Sequence, residues 1–307
     1  SGFKLSDLKE SRLRDRDDMM NIAFTLFRLK NQLNSFFASA RTAHKMADVF
    51  LKPKRSEVKD WELRAELKGE RFNLSDEVSA IRWSATAEKT IDKQILLVHG
   101  WESRATHMYG FVDGLLAQGY SVVALDMPGH GRSPGQSSNA HLFAQTVLLA
   151  EKTLGDFSVI IGHSMGASAT SIAVGNGLAP QKMILISGPS SIENSIRHFT
   201  RIIGFNKRTS DHFIGKIAQY VGVPFHQLDA TNLLKECEIP TLLIHDESDK
   251  EVLHSESKRL ENVLQNSHLM TTQGFGHRKI LKAQPVLQAI ADFVANESHF
   301  LPGAKSK

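Results

Sequence analysis

Residues 157–166 read Phe-Ser-Val-Ile-Ile-Gly-His-Ser-Met-Gly, and Ala167–Val174 follows as helix-compatible sequence. The apolar run Phe157–Ile161 has the character of a buried strand and passes directly into Gly162-His163-Ser164-Met165-Gly166. G-x-S-x-G alone is a weak pattern. Set between strand and helix, it predicts a strained elbow that presents the Ser164 hydroxyl above a sheet, with glycines admitting the tight turn. The competing reading is a capping serine at a glycine-rich helix start. Partners elsewhere in the chain decide between them, because a serine is inert without a base and a group that orients the base.

Outward from the elbow, other apolar runs end in turn residues: Gln94–His99, Ser121–Leu125, Met183–Ile186 and Thr241–Ile244, with His268–Thr272 a weaker sixth strand. Continuous Ile/Val/Leu runs suit parallel strands buried on both faces. Helix-length segments near 107–118, 139–154, 165–178, 255–265 and 284–296 separate most of them. This alternation predicts a doubly wound α/β sheet, mostly parallel. Residues 65–74 and 77–84 alternate and predict an antiparallel pair ahead of it. Residues 190–236, between two strands, are too long for a plain crossover and predict a small helical cap. Its aromatic residues, Phe199, Phe205, Phe213, Tyr220 and Phe225, form that cap's core or line an apolar acyl pocket.

Ligands bind outside the carboxyl ends of such strands. His277, in Gly274-Phe275-Gly276-His277, is the candidate base, and the acid lies in His245-Asp246-Glu247-Ser248-Asp249. The order serine, acid, histidine is the one this elbow requires. A metal set from His245, Asp246 and Asp249 lacks the spacing of a zinc motif, and no cofactor or metal is expected. Gly129-His130-Gly131 lacks the lysine and serine of a phosphate loop. His99 and His130 read as loop-fixing hydrogen bonders, and His163 as a structural residue turned away from Ser164. Cys237 precedes a buried strand and reads as an inert thiol.

These motifs resemble those of the α/β-hydrolase superfamily over about residues 65–297. Val98-His99-Gly100-Trp101 is similar to that family's oxyanion loop, Asp126–Ser133 to its loop after the fourth strand, Gly162–Gly166 to its elbow and Gly274–His277 to its histidine loop. The resemblance implies a Ser164–Asp249–His277 triad, with backbone N–H groups of Met165 and Trp101 holding an oxyanion. Asp246 stands where the family usually has glycine and Asp249 where it has the acid. The spacing favours Asp249 and leaves Asp246 a rival. A serine at the elbow also sets the chain apart from relatives that use aspartate there. The implied reaction is hydrolysis of short to medium carboxylic esters. Lipids, thioesters and other acyl bonds are the alternative, and a non-catalytic binding protein of the same fold a third reading.

The chain of 307 residues is 41% hydrophobic and 23% charged, which excludes disordered and low-complexity classes. Its single cysteine cannot form an internal disulfide. The net charge of +4 is uneven: residues 1–19 sum to zero, 20–59 to +6 and 60–307 to −2. A general nucleic-acid surface is therefore not expected. Residues 1–19 read as a tag or upstream extension, 20–60 as a basic amphipathic leader, and 299–307 as a tail. The hydrolase core is expected over 61–189 and 237–298. In the leader, Ile22, Leu26, Leu29, Leu33, Phe36, Phe37, Ala40 and Ala47 form a helical stripe expected to pack on the body, with contact to a membrane surface by residues 20–50 as the other reading. No apolar run reaches 18 residues, so no spanning helix is expected, and cytoplasm is the default location.

Overall fold

The continuous apolar runs become the centre of an eight-stranded sheet in a computed structural model that describes residues 22–86 and 91–296. The expected extension, 1–19, and tail, 299–307, lie outside the described residues. The strands are β1 Glu70–Ser75, β2 Val78–Trp83, β3 Gln94–Val98, β4 Ser121–Asp126, β5 Val159–His163, β6 Lys182–Ile186, β7 Thr241–Asp246 and β8 Ser267–Thr272. Their spatial order is β1-β2-β4-β3-β5-β6-β7-β8, antiparallel from β1 to β4 and parallel from there on. The chain enters the parallel part at β3, steps outward to β4, then returns past β3 to β5. Such a reversal opens a crevice at the carboxyl ends of the two central strands. Val98 lies opposite Gly162, so the loops that begin at His99 and Ser164 leave the sheet side by side.

Side chains alternate between the two faces of the sheet. Ile95, Leu97, Ile184 and Ile186 join Met108, Phe111, Leu115, Ile290 and Phe293 in one core. Met183, Leu185 and Leu243 join Ala167, Leu260 and Leu264 in another. Each of these leucines and isoleucines, fully buried, contributes about 1.5–3 kcal/mol. The covering helices include α4 Val112–Ala117, α5 Ala140–Leu154, α6 Met165–Gly175, α10 Ser255–Val263 and α12 Gln284–Ala295. Asn139 starts α5 by accepting the Leu142 N–H at 2.9 Å.

Two local expectations are corrected. Residues 65–67 are the end of a helix, α3 Asp60–Leu67, and the strand starts only at Glu70. Glu62 Oε1 accepts the Lys59 N–H at 3.1 Å as a helix cap, and the Trp83 indole donates to the Ala65 carbonyl at 2.9 Å, so a cap and a tertiary contact override the alternating pattern. The helix expected over 107–118 opens as a 3-10 segment, Ala105–Phe111, before α4 begins.

The described residues divide into two compact units, one made of residues up to Val49 with Ile196–Tyr220, the other of Phe50–Ser195 with the chain from Val221 onward. In the first, residues 22–37 (α1) and α2 Ser39–Phe50 are helical, as are most of α7 Ile192–Ile202 and α8 Lys207–Val221. The Asn31 amide donates to the Ile203 carbonyl at 3.0 Å and the Asn206 amide to the Ser35 carbonyl at 3.1 Å. Phe213 is fully buried against Phe199 and Phe205. Of the leader's stripe Ala47 is buried, whereas most of its α1 residues are exposed. Asn31 and Ser35 are the buried positions of α1, whereas Leu26, Leu33, Phe36 and Phe37 are 61%, 63%, 79% and 81% exposed. Side-chain donors meet backbone carbonyls there, so the side of α1 that is covered is its polar one.

Candidate active site

Ser164 follows β5 with φ 55° and ψ −120°, a backbone conformation that costs a non-glycine residue about 1–3 kcal/mol. Its neighbours explain how the turn closes. A Cβ on Gly162 would lie 2.6 Å from the Gly166 carbonyl oxygen, and one on Gly166 would collide with the Val98 carbonyl. The Ser164 N–H donates to the Ile186 carbonyl at 2.8 Å, which ties the elbow to the next strand. Met165 is the first residue of α6, so its N–H has no partner within the helix.

The loop after β3 approaches from the other side. A Cβ on Gly100 would lie 2.8 Å from Ser164 Cβ, so only glycine lets that backbone pass the serine. His99 sets the loop. Its Nε2 accepts the Met127 N–H at 3.0 Å, which leaves the proton on Nδ1 to bond the Gly100 carbonyl at 2.7 Å. Burial holds the His99 pKa well below its ordinary value, so the ring stays neutral in that role. The Trp101 ring lies between Phe50, stacked at 6.4 Å, and His130, edge-on at 5.0 Å. His130 donates to the Pro128 carbonyl, and burial pushes its pKa down to about 4.

His277 lies between the serine and an acid. The Ser164 hydroxyl is 2.9 Å from Nε2, and Nδ1 is 2.7 Å from Asp249 Oδ2. Because a carboxylate only accepts, Nδ1 carries the proton and Nε2 offers a lone pair to the serine. Asp249 is aimed by its own loop, since Oδ1 accepts the N–H groups of Glu251 at 2.9 Å and Val252 at 3.0 Å. Burial pushes the Asp249 carboxyl upward, but hydrogen bonds from His245 and His277 outweigh it and hold the group well below the usual carboxylate range.

The rival acid does something else. Asp246 Oδ2 accepts from the Thr272 hydroxyl at 2.8 Å and from the Phe275 N–H, while Oδ1 accepts the Ser248 N–H at 2.9 Å. Among the described residues it makes no hydrogen bond with the His277 ring. His245, also offered as a metal ligand, is occupied by Ser257 at 2.6 Å and the Val252 carbonyl at 3.0 Å, and lies 3.4 Å from Asp249. Sequence reasoning missed that support. The spacing of His245 and Asp249, four residues apart across a turn, is its only signal.

His163 has the structural role expected of it and also lines the cavity, its ring 4.8 Å from that of His277. Its Nε2–H donates to the His277 carbonyl at 2.9 Å, and Nδ1 is buried without a hydrogen-bond partner. Burial, then the neighbouring His277, pushes its pKa down to about 3, so it is a neutral prop under the histidine loop.

The cavity above Ser164 measures about 550 Å³ and is lined by charged and polar side chains with Trp61, Trp101 and Leu281. Cys237 is half-buried, and burial pushes its thiol upward.

Comparison with known proteins agrees with the sheet. The chain is 26% identical over 246 residues to a non-heme chloroperoxidase from Burkholderia pyrrocinia, covering 64% of this chain and 88% of that protein. It is 25% identical over 233 residues to a bifunctional esterase/perhydrolase from Acinetobacter calcoaceticus, covering 60% and 84%. Among solved structures, Est1E from Butyrivibrio proteoclasticus shares the fold with a TM-score of 0.58 at 15% identity, over 74% of this chain and 97% of that one. The model of the alpha/beta hydrolase family matches residues 95–264, from the first residues of β3 through α10, which is more than half of the chain. The matched span carries the central strands and the serine elbow, and the chain belongs to the alpha/beta hydrolase family.

Proposed function

We propose that this chain is a serine hydrolase that cleaves carboxylic esters of short to medium acyl length through an acyl-enzyme on Ser164. The observation that carries the reading is the continuous hydrogen-bonded line from Ser164 through His277 to Asp249. Ser164 Oγ attacks the acyl carbon while His277 Nε2 takes its proton. Asp249 keeps the imidazole in the required tautomer and stabilises the imidazolium that forms. His277 then returns the proton to the leaving alcohol, and water activated by the same ring releases the acid. The N–H groups of Met165 and Trp101 receive the oxyanion. Each such donor stabilises the transition state by about 3–4 kcal/mol. No metal or organic group takes part in these steps.

Initial rates on p-nitrophenyl esters from acetate to palmitate, beside Ser164→Ala, test the proposal. Turnover that depends on Ser164 and peaks at short chains supports it. Retained activity in Ser164→Ala would sink the mechanism, and failure of Ser164 to react with a phosphonate would favour the binding-protein reading.

One observation favours the lipid-like alternative. Helix α1 exposes Leu26, Leu29, Leu33, Phe36 and Phe37 with Arg28 and Lys30 beside them, the composition of a helix that lies in an anionic interface. Among the described residues no helix is long and apolar enough to cross a membrane. A long-chain optimum together with activation by anionic vesicles would select this reading.

A further inference from the structure

The rim of the Ser164 cavity is strongly basic, although residues 60–307 as a whole carry a small negative charge. Two of its cations are already occupied. The Arg55 guanidinium donates to the carbonyls of Gly131, Ser133 and Gly135, and Arg278 forms a two-point pair with Glu251. The remaining acids of the wall are occupied too. Glu62 receives Thr106, Arg104 and His107, and Glu102 accepts the Lys54 backbone N–H at 3.1 Å.

Lys54, Lys59, Lys279 and Lys282 are left. All four line the cavity, and among the described residues none of their ammonium groups pairs with a carboxylate. Lys282 Nζ instead sits 4.2 Å from the centre of the Trp61 ring, which fixes it at the wall. Lys279 is two residues from His277 on the same short helix, α11 Gly276–Lys279, so it is placed by the element that places the base. Like charges gathered around one concavity repel each other. Their shared field is strongest inside the cavity, where low-dielectric walls focus it.

We propose that the ester acted on at Ser164 carries an anionic group, a phosphate or a carboxylate, which these lysines hold. The inference rests on the serine hydrolase reading and specifies its substrate class. The anion belongs either to the acyl part or to the leaving alcohol. In both cases it lies at the rim while the carbonyl reaches the elbow.

Two matched pairs of probes separate the cases. Mono-4-nitrophenyl succinate against 4-nitrophenyl butyrate places the charge on the acyl side. The phosphate 4-acetoxyphenyl phosphate against 4-acetoxytoluene, followed by acetate release, places it on the leaving group. At low ionic strength kcat/KM for one anionic probe is expected to exceed that of its neutral partner about tenfold or more. The preference should collapse in about 1 M sodium chloride, where the Debye length is about 3 Å. It should approach unity in the double variant Lys279→Ala, Lys282→Ala and return in Lys279→Arg, Lys282→Arg. Equal turnover within both pairs, or a preference that survives the double alanine variant, overturns the proposal while leaving the esterase reading intact. Absence of Ser164-dependent turnover on all four probes overturns both.

Discussion

Asp246 Oδ2 accepts the Phe275 N–H at 3.0 Å, so a carboxylate that never touches His277 holds the loop that delivers it. The two acids of the loop after β7 thus divide the work: Asp249 bonds the imidazole and Asp246 bonds the backbone two residues before it.

That division predicts different kinetic signatures. Asp249→Asn removes the acceptor that fixes the tautomer, and kcat should fall about ten-thousandfold with the fold retained. Asp246→Asn weakens the loop, costing about 1–3 kcal/mol of stability and about tenfold in kcat. Steady-state rates and urea midpoints on both variants check this, and a larger kcat loss in Asp246→Asn would reverse the assignment.

Gly100→Ala places a methyl group 2.8 Å from Ser164 Cβ and 3.2 Å from His163 Nδ1. Neither neighbour yields freely, because the elbow backbone is pinned to Ile186. Displacement of the loop after β3 by a few tenths of an ångström should lower kcat about a hundredfold. The rate of phosphonate labelling, compared with wild type, reads the same displacement without substrate binding. A variant with wild-type rates would show that the loop does not set the reaction geometry.

Acid should destabilise the fold well above the carboxylate range. His163 and His130 are held near about 3 and 4, and His99 well below its ordinary value, whereas the unfolded chain titrates its histidines near about 6.5. Below about pH 6.5 the unfolded state therefore binds more protons than the native one, and stability falls with pH. Each histidine contributes about 1.4 kcal/mol per pH unit in that window. Urea melts between about pH 7 and pH 5 should show the slope, reduced by one histidine's share in His163→Gln. An unchanged slope would mean that His163 is protonated in the native state.

Asp126 is buried and collects Arg71 at 2.9 Å, the Ala105 N–H at 2.8 Å and the Arg132 N–H at 3.0 Å. Asp126→Ala strands the two backbone N–H donors, whereas Arg71 keeps Glu66 and Ser79; each stranded donor should cost about 1–3 kcal/mol. Chemical denaturation measures it; a loss under about 1 kcal/mol would mean that water replaces the carboxylate.

The parallel strands and the elbow were legible because a two-sided sheet demands uninterrupted apolar runs, and Phe157–Ile161 into Gly162–Gly166 supplies one with its turn attached. The pairing of His277 with Asp249 followed from order and spacing. Other features depend on contacts between distant residues. The stripe from Ile22 to Phe37 has a helical period, but period does not say which side is covered, and Asn31 with Ser35 took that place through bonds between side chains and carbonyls. Residues 65–67 alternate like a strand, yet Glu62 and Trp83 hold them in a helix. The basic rim was invisible for the same reason, since Lys54 and Lys282 are far apart in the chain and meet only across the folded cavity.

The backbone of Ser164 carries a consequence for redesign. Its position is imposed by Gly162, Gly166 and the bond to Ile186, none of which involves the hydroxyl. Any small side chain at residue 164 would be thrust at the same point, so the scaffold selects a location and leaves the choice of nucleophile open. Ser164→Cys would set a thiol within reach of the His277 imidazole. Cys237, half-buried and with its thiol pushed upward, would be the poorer target. One equivalent of iodoacetamide should then alkylate residue 164 first, turning the elbow into a single-site chemical handle; equal modification of Cys237 would show that the elbow does not activate what it presents.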